Sequence, residues 1–267
     1  MAQENMQRLC GLIRKAVQDY EMIAPGDRIL VGVSGGKDSI ALAVALARVR
    51  EYLGIPYTVQ AITLDPQFGR RDMDTAPLAE LFARCGIGYT VRRTGIGPVV
   101  FEYRQEKNPC ALCAKMRRGA LHTAANELGC NKVALGHHLD DAIETFYMNL
   151  WREGRIGCFS PVTYLSRKNV TLIRPMLLAT EAEVIRAVHE EQFPVIKSTC
   201  PADGHTVRGE TKEFVRAMAR QDPAFRQKML HALQESGIDG WAPLHTGRGA
   251  APAIQAKRGM SKYGISV

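Results

Sequence analysis

Apolar residues recur along this chain in two alternating rhythms. Met6, Leu9, Ile13, Val17 and Tyr20 fall at helical spacing within residues 4–20, so the chain opens on an amphipathic helix. A Pro25-Gly26-Asp27 turn leads into a β-branched and apolar run over 29–33. A glycine-bearing loop at 34–39 separates it from a second apolar run at 40–46, long enough for a buried helix that ends near residue 53. The pattern then predicts a strand over 58–64, a helix over 74–84 with Gly86 as its stop, and a strand over 89–93. A helix over 111–128 follows, with Gly129 just past its end, then a strand over 132–135 and a helix over 140–151. A loop at 154–161 precedes a short strand near 172–173. Helices over 181–191, 210–220 and 223–235 close the pattern.

Strand and helix alternate through roughly the first 150 residues. That favours an α/β fold: a parallel sheet with helices on both faces, followed by C-terminal helices. In such sheets ligands bind beyond the carboxyl ends of the strands. The 34–39 loop, Asp65 and Gly136 all follow predicted strands and should line one crevice. The organisation read from this pattern is an N-terminal helix at 1–24, a nucleotide-binding domain at 25–180, a helical region at 181–240 and a flexible basic tail at 241–267.

Composition adds limits. The chain has 267 residues, of which 46% are hydrophobic, enough for one sizeable core. No apolar run reaches bilayer length and the first residues lack a signal-peptide core, so a cytoplasmic protein without a membrane partner is expected. A net charge of +8 points to a polyanionic partner, most simply nucleic acid. Seven cysteines, an odd number, argue against a disulfide framework and for metal binding or thiol chemistry.

Ser34-Gly35-Gly36-Lys37-Asp38-Ser39 is a tight loop between a strand and a helix N-terminus, where backbone N–H groups and the helix dipole favour polyphosphate. It is not a Walker A loop, because Gly32 and Gly36 stand too close and Asp38 follows Lys37. Cys110 and Cys113 form a C-x-x-C at the start of a helix, a spacing that suits a metal, a cluster or a redox pair. Cys200, in a polar turn before Pro201, is a third candidate ligand. Three thiolates suit either a zinc site completed by a fourth ligand such as His205, or a [4Fe–4S] cluster with one open iron. For Cys10, Cys85 and Cys130 inert packing is the better expectation, and Cys158 is weighed the same way less firmly.

The loop resembles the PP-loop of the ATP pyrophosphatases, which cleave ATP between the α- and β-phosphates. Four segments together resemble the tRNA 2-thiocytidine synthetase group of PP-loop thiolases: the 34–39 loop, Asn108 to Leu121, Val133 to Thr145, and Phe193 to Ile196 leading to Cys200-Pro201. Cys200 stands alone where many members carry a second C-x-x-C. The resemblance spans roughly residues 5–235 and implies the adenine nucleotide alpha hydrolase-like fold. It also implies that Cys110, Cys113 and Cys200 bind a [4Fe–4S] cluster whose free iron carries sulfide. The implied activity is an ATP-dependent tRNA sulfurtransferase that adenylates the C2 carbonyl of a pyrimidine, cytidine favoured, and replaces oxygen with sulfur. Expected cofactors and partners are ATP, Mg²⁺, tRNA, and a sulfur donor such as a cysteine desulfurase or free sulfide; the family suggests a homodimer.

On this reading Val33, Ser34, Gly35, Gly36, Lys37, Asp38, Ser39, Asp65, Gly136 and Asp141 would contact ATP, with Lys37, Asp38 and Asp141 catalytic and Asp38 and Asp141 holding Mg²⁺. Asp140 would place Mg²⁺ or cap its helix, and His137 and His138 would be donors to the oxyanion. Arg117 and Arg118 would meet ATP or tRNA phosphates, with Arg152, Arg155, Lys107, Lys115, Arg167 and Lys168 extending a basic surface for tRNA. The alternatives are a cluster-free PP-loop enzyme (a persulfide-type thiolase, a lysidine synthetase or an amide ligase) and a non-catalytic nucleotide- or metal-binding regulator.

Overall fold

A computed structural model describes residues 4–104, 107–197, 199–202 and 207–245. Six strands form one sheet: β1 Arg28–Gly32, β2 Thr58–Asp65, β3 Gly88–Arg93, β4 Lys132–Ala134, β5 Val162–Leu165 and β6 Val170–Ile173, in the order β3-β2-β1-β4-β6-β5. Five strands are parallel. The sixth, β5, pairs antiparallel with β6 across a tight turn, so the sheet is mixed at one edge rather than wholly parallel. The sequence pattern missed β5 because it is a short edge strand without an apolar face, and its Tyr164 points largely to solvent.

Strand alternation builds two cores. Ile29 and Val31 of β1 face one side, where α1 (Glu4–Asp19), α2 (Lys37–Leu53), α3 (Ala76–Arg84) and α7 (Glu181–Glu190) pack. Leu30 faces the other side, joining Ile62, Val133 and Leu172 beneath Leu121, Ala124 and Ala125 of α5 (Pro109–Glu127). The expectation of helices on both faces holds, with α5 covering the second. The run Ile40–Leu46 is fully buried, since α1 and α7 cover the outer side of α2 while the sheet covers its inner side. The four periodic residues Met6, Leu9, Ile13 and Val17 of α1, and Tyr20 just past its end, are buried as well.

Between β3 and α5 lie a single helical turn, α4 (Ile96–Pro98), and a π-helical turn, Val99–Arg104. They have no counterpart in the predicted pattern, being too short to establish a period. Ile96 and Val100 pack with Cys113, and Phe68, Phe101 and Met116 lean on the group. After α6 (Leu139–Arg152), helices α8 (Val207–Gln221) and α9 (Phe225–Ser236) pack against it. The stretch expected as a loose tail begins on a fully buried residue. Trp241 donates from Nε1 to the Phe159 carbonyl at 2.8 Å, and its own carbonyl accepts from Tyr20 Oη at 2.9 Å. Residues 246–267 lie outside the described part. Among the described residues no helix is long and apolar enough to cross a membrane.

Candidate functional site

Strand order reverses between β1 and β4, and the loops leaving these two strands meet at the carboxyl edge of the sheet. Val33 prolongs β1 by donating its N–H to the Ile62 carbonyl at 2.8 Å. The loop then tightens around Ser39, whose Oγ donates to the Gly36 carbonyl (2.9 Å) and accepts the Ser34 N–H (3.2 Å). Gly35 adopts φ +86°, where a side chain is strained, and a Cβ there would sit 3.0 Å from Ile196 Cβ. Ile196 also donates its N–H to the Gly35 carbonyl at 2.9 Å. The segment from Phe193 to Ile196, one of the four family-like segments, thus braces the loop from outside.

No side chain caps α2. Its first hydrogen bond inside the helix is Ile40 N–H to the Gly36 carbonyl, so the N–H groups of Lys37, Asp38 and Ser39 have no carbonyl partner within the helix, while the Gly36 N–H donates to Ser34 Oγ at 3.4 Å. Gly136, after β4, is expected to let backbone approach the nucleotide. Its close approach is to α2 itself: a Cβ there would meet the Asp38 carbonyl carbon at 3.2 Å and the Ser39 nitrogen at 3.3 Å.

Lys37 lies between two carboxylates. Its Nζ donates to Asp38 Oδ2 at 3.1 Å and lies 3.1 Å from Glu181 Oε1. Burial works to lower its pKa, but Asp38 and Glu181 outweigh burial and raise it. Asp38 Oδ1 is 3.0 Å from the same Nζ, yet the geometry forms no hydrogen bond, and this buried oxygen accepts none. A buried carboxylate oxygen left this way suits a hard cation such as Mg²⁺. Glu181, at the start of α7, was not singled out in the sequence. It also binds Lys212 Nζ at 2.7 Å and lies 3.6 Å from Arg216. Burial would raise its pKa, but Lys212 and Lys37 bring it from the usual 4.5 down to about 2.

The two aspartates at the start of α6 divide their work. Asp141 forms a capping box with His138: the His138 N–H donates to Asp141 Oδ2 at 2.9 Å, and the Asp141 N–H donates to His138 Nδ1 at 3.2 Å. Asp140 reaches away from its own helix. Its Oδ2 accepts the Glu181 N–H at 2.7 Å, and its Oδ1 accepts from Arg226 Nε at 2.6 Å. Asp65 is buried at the end of β2, and its carboxylate accepts N–H groups of Gln67 (2.8 Å) and Met73 (3.0 Å), so it shapes the loop beyond β2.

On the other face, Arg117 and Arg118 join Gly32, Val33, Ser34, Ile62, Leu64 and Leu121 around a cavity of about 130 Å³. The same helix begins with Cys110 and Cys113. The Asn108 side chain caps it by accepting the Ala111 N–H at 3.2 Å. Burial raises the Cys113 pKa, Arg117 opposes it, and Cys200 and Cys110 add to the rise, so the three thiols are electrostatic neighbours. Cys110 is exposed, Cys113 buried and Cys200 half-exposed. Among the described residues, however, no three His, Cys, Asp or Glu side chains converge as a ready metal site. His205 lies outside the described residues. Cys158 is buried, its Sγ donates to the Ala142 carbonyl at 3.3 Å, and burial pushes its pKa up to about 12. Cys10 is buried likewise, its pKa pushed up to about 11. Both fit inert packing. Arg152, the last residue of α6, and Arg155 just past it are exposed, about 20 Å along the helix from His138. Arg152 pairs with Glu210. Neither belongs to the loop cluster.

A family model described as a PP-loop domain matches residues 6–218. The tRNA-cytidine(32) 2-sulfurtransferase of Geobacter metallireducens is 37% identical over 227 residues, covering 83% of this chain and 86% of that protein. Its counterpart from Geobacter sulfurreducens is 33% identical over 230 residues, 85% of this chain and 89% of that one. Among solved structures, the U34-tRNA thiolase NcsA from Methanococcus maripaludis with its [4Fe-4S] cluster aligns with a TM-score of 0.71 at 22% identity, over 87% of this chain and 78% of that chain.

Proposed function

The chain belongs to the PP-loop domain family and within it to the tRNA-cytidine(32) 2-sulfurtransferases, and on that premise we propose that it thiolates cytidine 32 of tRNA at the expense of ATP. The carbonyl oxygen at C2 attacks the ATP α-phosphate and pyrophosphate leaves. Sulfide then takes the place of the adenylated oxygen and AMP departs.

The observation that carries this reading is the joining of two chemistries on α5. Its first turn holds Cys110 and Cys113 within electrostatic reach of Cys200, and a turn further on Arg117 and Arg118 line the cavity behind the loop. Three thiols with an arginine nearby are a donor set suited to an iron–sulfur cluster. When bound there, a [4Fe–4S] cluster supplies an iron with an open position for sulfide. The sulfide comes from outside the chain, from a cysteine desulfurase or from free sulfide.

The uncapped start of α2 and the N–H groups of Gly35 and Gly36 receive the departing pyrophosphate. Lys37 moves from its carboxylates to the phosphates and neutralises charge as the α–β bond breaks. Mg²⁺ would be held by Asp38 Oδ1, with Asp141 linked to it through His138, and would neutralise phosphate charge there. Asp65 acts through the loop it shapes. Arg117 and Arg118 face the nucleotide. Arg152, Arg155 and the exposed Trp151, whose ring edge packs on Phe214 at 5.0 Å, form an outlying surface suited to RNA phosphates and an unstacked base.

Iron content and tRNA-dependent pyrophosphate release of anaerobically purified protein test the assignment. Lys37→Ala is expected to lower pyrophosphate release about 100-fold with iron retained, and Cys200→Ser to lose iron. An iron-free protein that still thiolates tRNA would contradict the cysteine assignment, and unchanged release in Lys37→Ala would contradict the loop's role.

A further inference from the structure

The loop after β4 carries two adjacent histidines whose hydrogen bonds set them apart. His138 is buried and committed: its Nδ1 closes the capping box, and its Nε2 faces Asp38 Oδ1 at 4.0 Å. His137 is half-buried and follows Gly136, whose backbone abuts the first turn of α2. His137 Nδ1 accepts from Arg174 Nε at 3.2 Å, and its ring stacks on Phe159 with centroids 5.0 Å apart. An imidazole that accepts through Nδ1 carries its proton on Nε2. The two contacts therefore fix both the ring plane and the tautomer.

Arg174 has an unusual setting. It stands just past β6, buried, with a guanidinium nitrogen donating to the Ser160 carbonyl and its Cζ 4.9 Å from the centre of the Phe159 ring. Among the described residues no carboxylate balances it, and burial pulls its pKa down to about 10. A buried cation without a counter-ion is costly. That cost is offset where negative charge develops during a reaction and is felt through a shared hydrogen bond.

We propose that His137 donates from Nε2 to the negative charge that develops at the α-phosphate during adenylation, and that Arg174 is the positioning residue holding it in that tautomer. The inference rests on the adenylation reading above. It separates the two histidines: His137 is the catalytic donor, and His138 belongs to the helix cap.

Two substitutions distinguish a donor from a structural acceptor. In His137→Gln the amide nitrogen reaches roughly the place of Nε2. In His137→Asn the side-chain oxygen takes roughly the place of Nδ1. With the full-length protein, the readouts are kcat and KM for ATP in tRNA-dependent AMP formation. Gln is expected to keep kcat within about 10-fold of wild type, and Asn to lower it about 100-fold with KM for ATP little changed. Arg174→Met should lower kcat in the wild-type background but not in His137→Asn. The reverse pattern, Asn active and Gln inactive, would overturn the proposal, as would full activity in both variants. Wild-type protein that forms no AMP with tRNA would overturn the adenylation reading and this inference with it.

Discussion

In the proposed reaction Lys37 leaves Asp38 and Glu181 to meet phosphate, and Glu181, which Lys212 and Arg216 also hold, keeps two cationic partners when it does. The folded pKa of Glu181 lies below its ordinary value, about 2 against 4.5. Its contribution to stability is therefore fully present above about pH 4.5 and is lost as pH falls toward 2. Glu181→Gln should be less stable than wild type at neutral pH, and the gap in urea unfolding should close between those two values. A gap independent of pH would remove Glu181 as the ionised partner. The sequence did not reveal Glu181, because acids in a first helical turn are ordinary complements to the dipole and its partners lie far along the chain. Lys37 and Asp38 stood out in the sequence through the local Ser34–Ser39 pattern, although in the fold Glu181 and His138 lie beside them from far along the chain. Asp65 accepts the Gln67 and Met73 N–H groups within its own loop and Asp140 accepts the Glu181 N–H from far along the chain, contacts that the strand and helix pattern did not disclose.

At the scale of elements, α2 and α5 carry the site from opposite faces of the sheet, and the β4–α6 loop locks onto the first of them. Gly136→Ala would press a methyl group against the Asp38–Ser39 backbone, which cannot yield as a flexible side chain would. An expected loss of about 2 kcal/mol by denaturant titration should accompany weaker ATP binding. Wild-type ATP affinity in this variant would show that the loop contact does not shape the cradle. The order of strands and helices was legible because α1 and α6 carry a clear helical period, α2 is a long apolar run, and glycine or proline turns separate the helices from the strands. The hairpin strand β5 and the π-helical turn at Val99–Arg104 were not, because each is too short for a period and is held by neighbours: β6 in one case, α5 and the Phe68 segment in the other.

At the scale of the whole molecule, the C-terminal helices are tied to the catalytic edge. Arg226 of α9 reaches Asp140, which holds the start of α7 and so Glu181, while Lys212 and Arg216 of α8 grip Glu181 directly. Trp241 pins the far end against Phe159, the ring beneath His137. Trp241→Ala should cost about 4 kcal/mol in unfolding; a loss under about 1 kcal/mol would mean that the C-terminal stretch contributes little to the core. The basic net charge suggested nucleic acid, and the family resemblance carried by the phosphate loop and the three cysteines narrowed that to tRNA. The central claim is that both halves act on one cytidine. It is tested most directly by mass spectrometry of nucleosides and ribonuclease fragments from tRNA lacking the modification, after incubation with anaerobic protein, ATP and sulfide. The account predicts 2-thiocytidine at position 32, lost in both Lys37→Ala and Cys113→Ser. Wild-type yield of 2-thiocytidine from Cys113→Ser, or AMP formed by wild type with no 2-thiocytidine, would contradict it.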